Sequence, residues 1–472
     1  MLAKAGENEK RVMSAVASIS GFMKRHAVGP TLIRRNPFFY GKARAILDDC
    51  ERQDLAERRA WSDAQLKRTL HFARRTAYGR KVNGGDTLDS WPFLEKESLR
   101  DEQDAFITGS KWLSAPAATG GTTGIPLRLV RSLRGVVFEQ ACQDRLIEEL
   151  GADPHGRVAI LRGDNIKDPS DLKPPHWVKA NGGRTLIFSS NVLNHETVRD
   201  YARALREFAP TLLCAYPTSL ECLCRLLQQH GERVHIPSVM TSSEVLKREG
   251  WALARDTLGC NLADYYGQAE RAAFAYALEP RKYRFLPSYG HVELRPFGSE
   301  QIADAGQGGL YEIVGTTYWN DLMPLVRYRT GDLVRLPEDW GPREIEEVTL
   351  GLRSFSGVLG REQEILVCPM GVRLTGIDQI PRDVSNILRI QVIQEDLNDV
   401  RILVLPAPGY SERDAAQLLQ NARAKVPDSM NLRIETAQWL ERTPRGKTPL
   451  VIHRAPVQEQ LRLQGIEPSQ TR

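Results

Sequence analysis

VAIL at Val158–Leu161, TLIF at Thr185–Phe188, TLLCAY at Thr211–Tyr216, IPSVMTSS at Ile236–Ser243 and NLADYYG at Asn261–Gly267 are five short β-prone runs. Between the later ones lie Glu196–Phe208, Ser219–His230 and Leu246–Leu258, where apolar residues recur at helical spacing. Strand and helix alternating in this way predict a parallel sheet wrapped by helices. Such sheets bind ligands beyond the carboxyl ends of their strands. TSSE (Thr241–Glu244) and YGQAE (Tyr266–Glu270) both fall at strand ends, so a shared nucleotide pocket is expected there.

Outward from this block, residues 1–110 read as a helical lead-in that closes on WPFLEKESLRD (Trp91–Asp101). From Tyr283 to about Leu336 the pattern is strand-rich, with YEIVGTTY from Tyr311 and LVRYRTGDLVRL from Leu325, which predicts a β subdomain. The composition changes around GREQE (Gly360–Glu364). Beyond it the chain reads strand, strand, helix, strand: QVIQ from Gln391, VRILVLP from Val400, a helix over Ser411–Lys425 and LRIE from Leu432. The expected fold class is α/β: a large N-terminal domain with mostly parallel sheets and a β-rich subdomain, plus a small α+β C-terminal domain. The expected divisions are 1–110 (lead-in), 111–362 (core) and 363–472 (cap), with a frayed polar tail after Val457.

With 472 residues the chain is too long for one ordinary core. A hydrophobic share of 41% with 26% charge is that of a soluble globular protein. No apolar run approaches the roughly 20 residues of a membrane helix, so no integral membrane segment and a cytoplasmic location are expected. Val12–Met23, mildly apolar and ending in Lys24-Arg25, reads as an amphipathic helix and not as a signal peptide. A net charge of +5, from 64 basic against 59 acidic residues, makes no strong field for nucleic acid, and none is expected as a partner. Seven cysteines without a CxxC pair and nine histidines without an HExxH argue against a disulfide framework and a zinc site.

Three further features point to phosphate chemistry. In TGGTTGIP (Thr119–Pro126), glycine lets the backbone approach closely, so N–H groups and hydroxyls can gather around phosphates. Ile125, Pro126 and Leu127 after the last glycine exclude the Lys-Ser/Thr ending of a P-loop, and a polar turn between two strands is the plain alternative. Asp332, after Gly331, stands where a carboxylate accepts both hydroxyls of a ribose, or where it caps a turn. Lys447, in PRGKT, is held out on a Pro- and Gly-bearing loop. An ammonium there offsets charge developing on a phosphoryl group, unless it is simply solvated.

Taken together, TGGTTGIP, TSSE, YGQAE, YRTGD, GREQE and PRGK resemble the motifs of the adenylate-forming superfamily of acyl-CoA synthetases, luciferases and peptide-synthetase adenylation domains. More narrowly the chain resembles the phenylacetate-CoA ligase branch and its capsular-polysaccharide relatives, over roughly residues 60 to 455. The resemblance implies an adenylate-forming fold with a mobile C-terminal cap. It implies that Thr119, Gly120, Gly121, Thr122, Thr123 and Gly124 cradle the phosphates of ATP. Ser243 and Glu244 would flank one side of the adenine, and Tyr266 with Gly267 the other. Glu270 would hold Mg2+ and serve catalysis, Asp332 would bind the ribose and Arg361 would reach the nucleotide from the domain junction. Lys447 would bridge the acyl carboxylate and the α-phosphate.

Three departures stand out: Ala269 where the family has a hydroxyl, Gln363 in place of the hinge aspartate, and Met370-Gly371-Val372-Arg373 in place of the branch's usual run. The implied activity is ATP-dependent formation of an acyl-adenylate from a small carboxylic acid. Transfer would follow to an acceptor, with CoA first and an amine, a sugar or a carrier-protein thiol as alternatives. Tyr216, Tyr265, Phe274 and Tyr276 would suit an aryl acid or would simply pack. A nucleotide-binding scaffold without catalysis is the rival from another class.

Overall fold

The structure, a computed structural model, describes residues 33–111, 114–118, 127–162, 166, 172–190, 192–297, 309–361, 366–367, 369, 373–374, 377, 380–381, 384, 386–441 and 448–463. Val12–Met23, Gln363 and Met370–Val372 lie outside the described residues.

The lead-in is helical from Pro37: α1 Pro37–Arg52, α2 Leu55–Ala73, α3 Ala77–Lys81 and α4 Lys96–Asp101. Asp54 starts α2 with a capping box, accepting from the Glu57 amide while the Glu57 carboxylate accepts from its own. A hairpin follows, β1 Ser114–Ala118 against β2 Arg128–Ser132, with Ala118 opposite Arg128 at its open end. Ser132 then caps α5, Leu133–Glu149, by accepting from the Gly135 amide.

The central sheet is built from β3 Val158–Arg162, β4 Trp177–Ala180, β5 Thr185–Ser189, β6 Leu212–Ala215, β7 Ser238–Ser242, β8 Asn261–Gly267, β9 Phe274–Ala277 and β10 Arg284–Phe285. Helices α6 Val198–Phe208, α7 Pro217–Gln229 and α8 Arg248–Leu258 connect the parallel strands. Its order is β10-β9-β8-β7-β6-β3-β5-β4. The five strands expected from the sequence form the parallel middle, and β4, β9 and β10 pair antiparallel at the edges. These edge strands, two to four residues long, carry too short a pattern to read. One face packs on α6, α7 and α8, where Leu205, Leu223 and Trp251 meet Leu161, Leu213 and Val239. The other packs on α5, whose Leu146 and Ile147 meet Cys214, Met240 and Ala263. Each such side chain contributes about 1.5–3 kcal/mol on burial.

The β subdomain is an antiparallel sheet of β11 Gly290–Pro296, β12 Gly309–Thr317, β13 Tyr328–Leu336 and β14 Val358–Arg361, with α9 Pro342–Thr349 alongside. After the short pair β15 Leu366–Val367 and β16 Arg373–Leu374 comes the C-terminal sheet. Its strands are β17 Ile387–Gln394, β18 Asp399–Pro406 and β19 Asn431–Thr436, with α10 Glu412–Arg423 between the last two. Ile390, Val392, Val400, Leu418 and Met430 give this unit a core of its own.

Two elements there were not legible in sequence. β20 Val451–His453 adds parallel to β17, and Ala455–Leu463 forms α11 where a frayed tail was expected. Val457 explains the difference, because it is buried against Val367.

The loop after YGQAE rests on two glycines of the β subdomain. A Cβ at Gly290 would lie 2.2 Å from the Ala272 carbonyl oxygen, and one at Gly315 would lie 2.7 Å from the Ala272 Cβ. Gly290→Ala is therefore expected to destabilise the protein by about 1–3 kcal/mol through overpacking. Urea unfolding checks it: the midpoint should fall with the slope unchanged, and an unshifted midpoint would show that the loop yields freely.

Candidate active site

β7 ends at Ser242, and Ser243 follows with φ 72°, a left-handed conformation that turns the chain so that Glu244 faces the start of α7. The Glu244 carboxylate accepts from the Thr218 amide at 3.1 Å and the Thr218 hydroxyl at 2.5 Å. Its charge is thus placed at a helix N-terminus, where the dipole favours it.

One strand over, β8 delivers Tyr266 and Gly267. The Tyr266 hydroxyl donates to Asp332 Oδ2 at 2.7 Å, and Gln268 Nε2 donates to the Tyr266 oxygen at 3.2 Å. Asp332 is buried on β13. Gly331 before it has φ 71°, which only glycine adopts cheaply, and the Asp332 amide donates to Thr330 Oγ1 at 3.0 Å. Arg361 closes β14 directly opposite Asp332 in the backbone register.

Glu270 is buried at 8% exposure, and Oε1 accepts from the Tyr328 hydroxyl at 2.7 Å. Oε2 takes no hydrogen bond from the described residues. Among these residues no group of three His, Cys, Asp or Glu side chains could hold a metal. That excludes an all-protein cage among them but suits Mg2+, which generally binds through one or two carboxylates together with substrate phosphates. Beside Glu270, Arg131 Nη2 donates to the Ala269 carbonyl at 2.7 Å, and Arg271 Nη1 donates to that of Gly135 at 2.9 Å. Burial, reinforced by the Arg271 charge, lowers Arg131 to about 10. Glu139, 3.4 Å from Arg271 Nε, also accepts from Tyr289. Arg131, Glu139, Glu270, Arg271, Tyr289 and Trp319 together line a cavity between the sheet and the first turns of α5.

The C-terminal sheet reaches this rim. Arg389 Nη2, on β17, lies 3.6 Å from Glu244 Oε1 and donates to the Thr448 carbonyl. The pair is partly exposed, so its charge attraction is worth under about 1 kcal/mol. Its effect is positional, because it ties the residue after Lys447 to the TSSE motif.

Glu244, Tyr266, Gly267, Glu270 and Asp332 are thus gathered on one rim, beside Ser243. Thr119–Gly124 and Lys447 lie outside the described residues. The stem of the glycine loop does not, and Leu127 and Leu129 pack with Ala272 and Tyr328. For Phe274 the packing alternative holds: it is buried between Tyr265 and Tyr289, with ring centroids 5.3 Å from each. Tyr328 lay within a recognised motif, whereas Thr218, Arg131 and Arg389 gave no sequence signal.

Residues 370–454 match a family model described as the CapK C-terminal domain. Protein CapK of Staphylococcus aureus is 22% identical over 387 residues, covering 79% of this chain and 82% of that protein. A phenylacetate-coenzyme A ligase of Pseudomonas putida is 23% identical over 384 residues, covering 76% and 81%. Among solved structures, 2-hydroxyisobutyryl-CoA ligase in its postadenylation state with 2-HIB-AMP superposes with a TM-score of 0.62 at 13% identity, over 85% of this chain and 91% of that one. In sequence the chain is thus similar to CapK and to phenylacetate-coenzyme A ligases, and its fold is that of the adenylate-forming CoA ligases.

Within the adenylate-forming fold, Asp332→Ala is expected to weaken ATP binding by about tenfold or more, roughly 1.5–3 kcal/mol for a charged acceptor. Tyr266→Phe, which removes one donor to Asp332, should cost only about 0.5–1.5 kcal/mol. Calorimetric titration with ATP decides, and an unchanged affinity in Asp332→Ala would return this residue to a turn role.

Proposed function

We propose that the protein joins a small carboxylic acid to the α-phosphate of ATP, releases pyrophosphate, and passes the acyl group from AMP to CoA. The observation that carries this reading is the Tyr266–Asp332 hydrogen bond, which brings a motif from the sheet's carboxyl edge together with one from the β subdomain. In this reading Ser243, Glu244 and Tyr266 flank the adenine, Asp332 accepts from the ribose, Thr119–Gly124 hold the phosphates and Arg361 approaches from the junction. Glu270 would hold Mg2+, which when bound offsets charge on the departing pyrophosphate.

The acid's carboxylate oxygen attacks the α-phosphorus while Lys447 donates to both reacting groups, and the bond to pyrophosphate breaks. A nucleophile then attacks the acyl carbon and AMP leaves.

We place the protein in the cytoplasm; among the described residues no helix is long and apolar enough to cross a membrane. The cap, taken from residue 363, would turn between the two half-reactions. Two states of 2-hydroxyisobutyryl-CoA ligase support the adenylation orientation: the superposition gives a TM-score of 0.62 with its postadenylation state and 0.51 with its thioesterification state. CoA as acceptor draws support from the phenylacetate-coenzyme A ligases. The changed run at Gln363 and Met370–Arg373 favours an amine, a sugar hydroxyl or a carrier thiol as the second reading.

Lys447→Ala is expected to cut acid-dependent ATP–pyrophosphate exchange by about 10² to 10³, with ATP affinity retained. Undiminished exchange would remove Lys447 from the reaction. In a wild-type reaction already making acyl-AMP, mass spectrometry at saturating CoA should find acyl-CoA, and its absence would move the second step to amide, ester or carrier-thioester formation.

A further inference from the structure

Arg162 ends β3 at the carboxyl edge of the sheet. Along this strand Ala159 and Leu161 face α6 and α7, and Val158 and Ile160 face α5. By this alternation Arg162 points into the α5 layer. Tyr216 donates its amide to the Leu161 carbonyl at 3.2 Å, and Cys214 and Tyr265 pack in one cluster with Ile160. Tyr265 is also packed with Phe138, Tyr289 and Trp319, which line or adjoin the cavity beside Glu270. Arg162 therefore shares this layer, two strands along the carboxyl edge from β7.

Three other enclosed arginines are compensated. Arg327 pairs with Glu293 at 2.9 Å, Arg329 with Glu312 at 2.9 Å, and Arg58 donates to the carbonyls of Gln53, Leu350 and Glu51. Arg162 has no carboxylate within ion-pair distance among the described residues, and its Nε is sealed from solvent without a hydrogen-bond partner. The residue as a whole is partly exposed. A guanidinium stays protonated in any protein setting, and enclosing it unpaired is costly. Its planar fork matches an oxyanion with two parallel hydrogen bonds.

We infer that Arg162 is a specificity-determining residue, and that the acid activated here carries a second oxyanion at its far end, beyond the carboxylate that is adenylated. This rests on the reading under Proposed function. β3 is separated from β7, which carries the nucleotide motif, by β6 alone. Two strand spacings make about 10 Å, a span that a small two-headed acid bridges. A distal carboxylate and a distal phosphate offer the same chemistry.

The test is ATP–pyrophosphate exchange with the full-length protein over matched acids of equal chain length: monocarboxylic, dicarboxylic, and phosphonate- or phosphate-bearing. Wild type should prefer a two-headed acid over its singly charged isostere by roughly 10- to 100-fold in kcat/KM, and which anion wins identifies the distal group. Arg162→Gln should erase that preference through KM while exchange with the monoacid persists, and Arg162→Lys should restore part of it. Equal rates with mono- and two-headed acids in wild type would overturn the inference alone, whatever the variants do. A proportional loss for both acid classes in Arg162→Gln, with ATP affinity and thermal midpoint unchanged, would also overturn it. Exchange with no acid of either class would overturn it together with the reading on which it rests.

Discussion

The site exists because a parallel sheet and an antiparallel sheet meet along a seam closed by polar side chains. Tyr266 donates from the first to Asp332 on the second, and Tyr328 donates back from the second to Glu270 on the first. These bonds run in opposite directions and join the same two segments, so neither segment can slide without breaking one. Removing a single partner from such a seam strands a buried carboxylate, which costs more than the bond's net contribution. The close approach of the Ala272 loop to Gly290 and Gly315 supplies the apolar half of this constraint.

β13 carries a large share of the polar work. Arg329 pairs with Glu312 and Glu95, and Arg327, just before the strand, pairs with Glu293 and reaches the Trp91 carbonyl. Glu312 and Glu293 are pushed upward by burial and drawn back by these guanidinium groups. Such buried pairs need not add net stability. They fix the register of β13 against β12 and the lead-in, and with it the height at which Asp332 stands.

The parallel middle of the sheet was legible because each of its strands is a near-continuous apolar run between helices of clear period, as sheets covered on both faces require. The motif residues on the rim were legible for a different reason, since glycines and polar residues interrupt those runs where the chain must leave the sheet. What escaped depends on distance. Thr218 meets Glu244 across 26 residues and Arg131 meets Ala269 across 138, and neither end carries a local pattern that names the other. β20 escaped because three residues cannot show alternation, and Phe274 was left between two roles because an aromatic at a strand edge looks the same whether it lines a pocket or fills a core. The adenylate-forming resemblance named motif positions, but the cavity beside Glu270 is lined mostly by residues outside those motifs.

Arg389 divides one nitrogen between two parts of the molecule: the Glu244 carboxylate at the nucleotide rim and the Thr448 carbonyl beside the PRGK loop. The hydrogen bond to Thr448 and the charge contact with Glu244 link the two ends thermodynamically. Whatever alters the charge or position of Glu244 changes how firmly Arg389 is held at Thr448, and by reciprocity whatever draws Arg389 away changes what Glu244 can bind. Glu244 and the C-terminal sheet therefore feel each other through one guanidinium, and only weakly, because the pair is partly exposed.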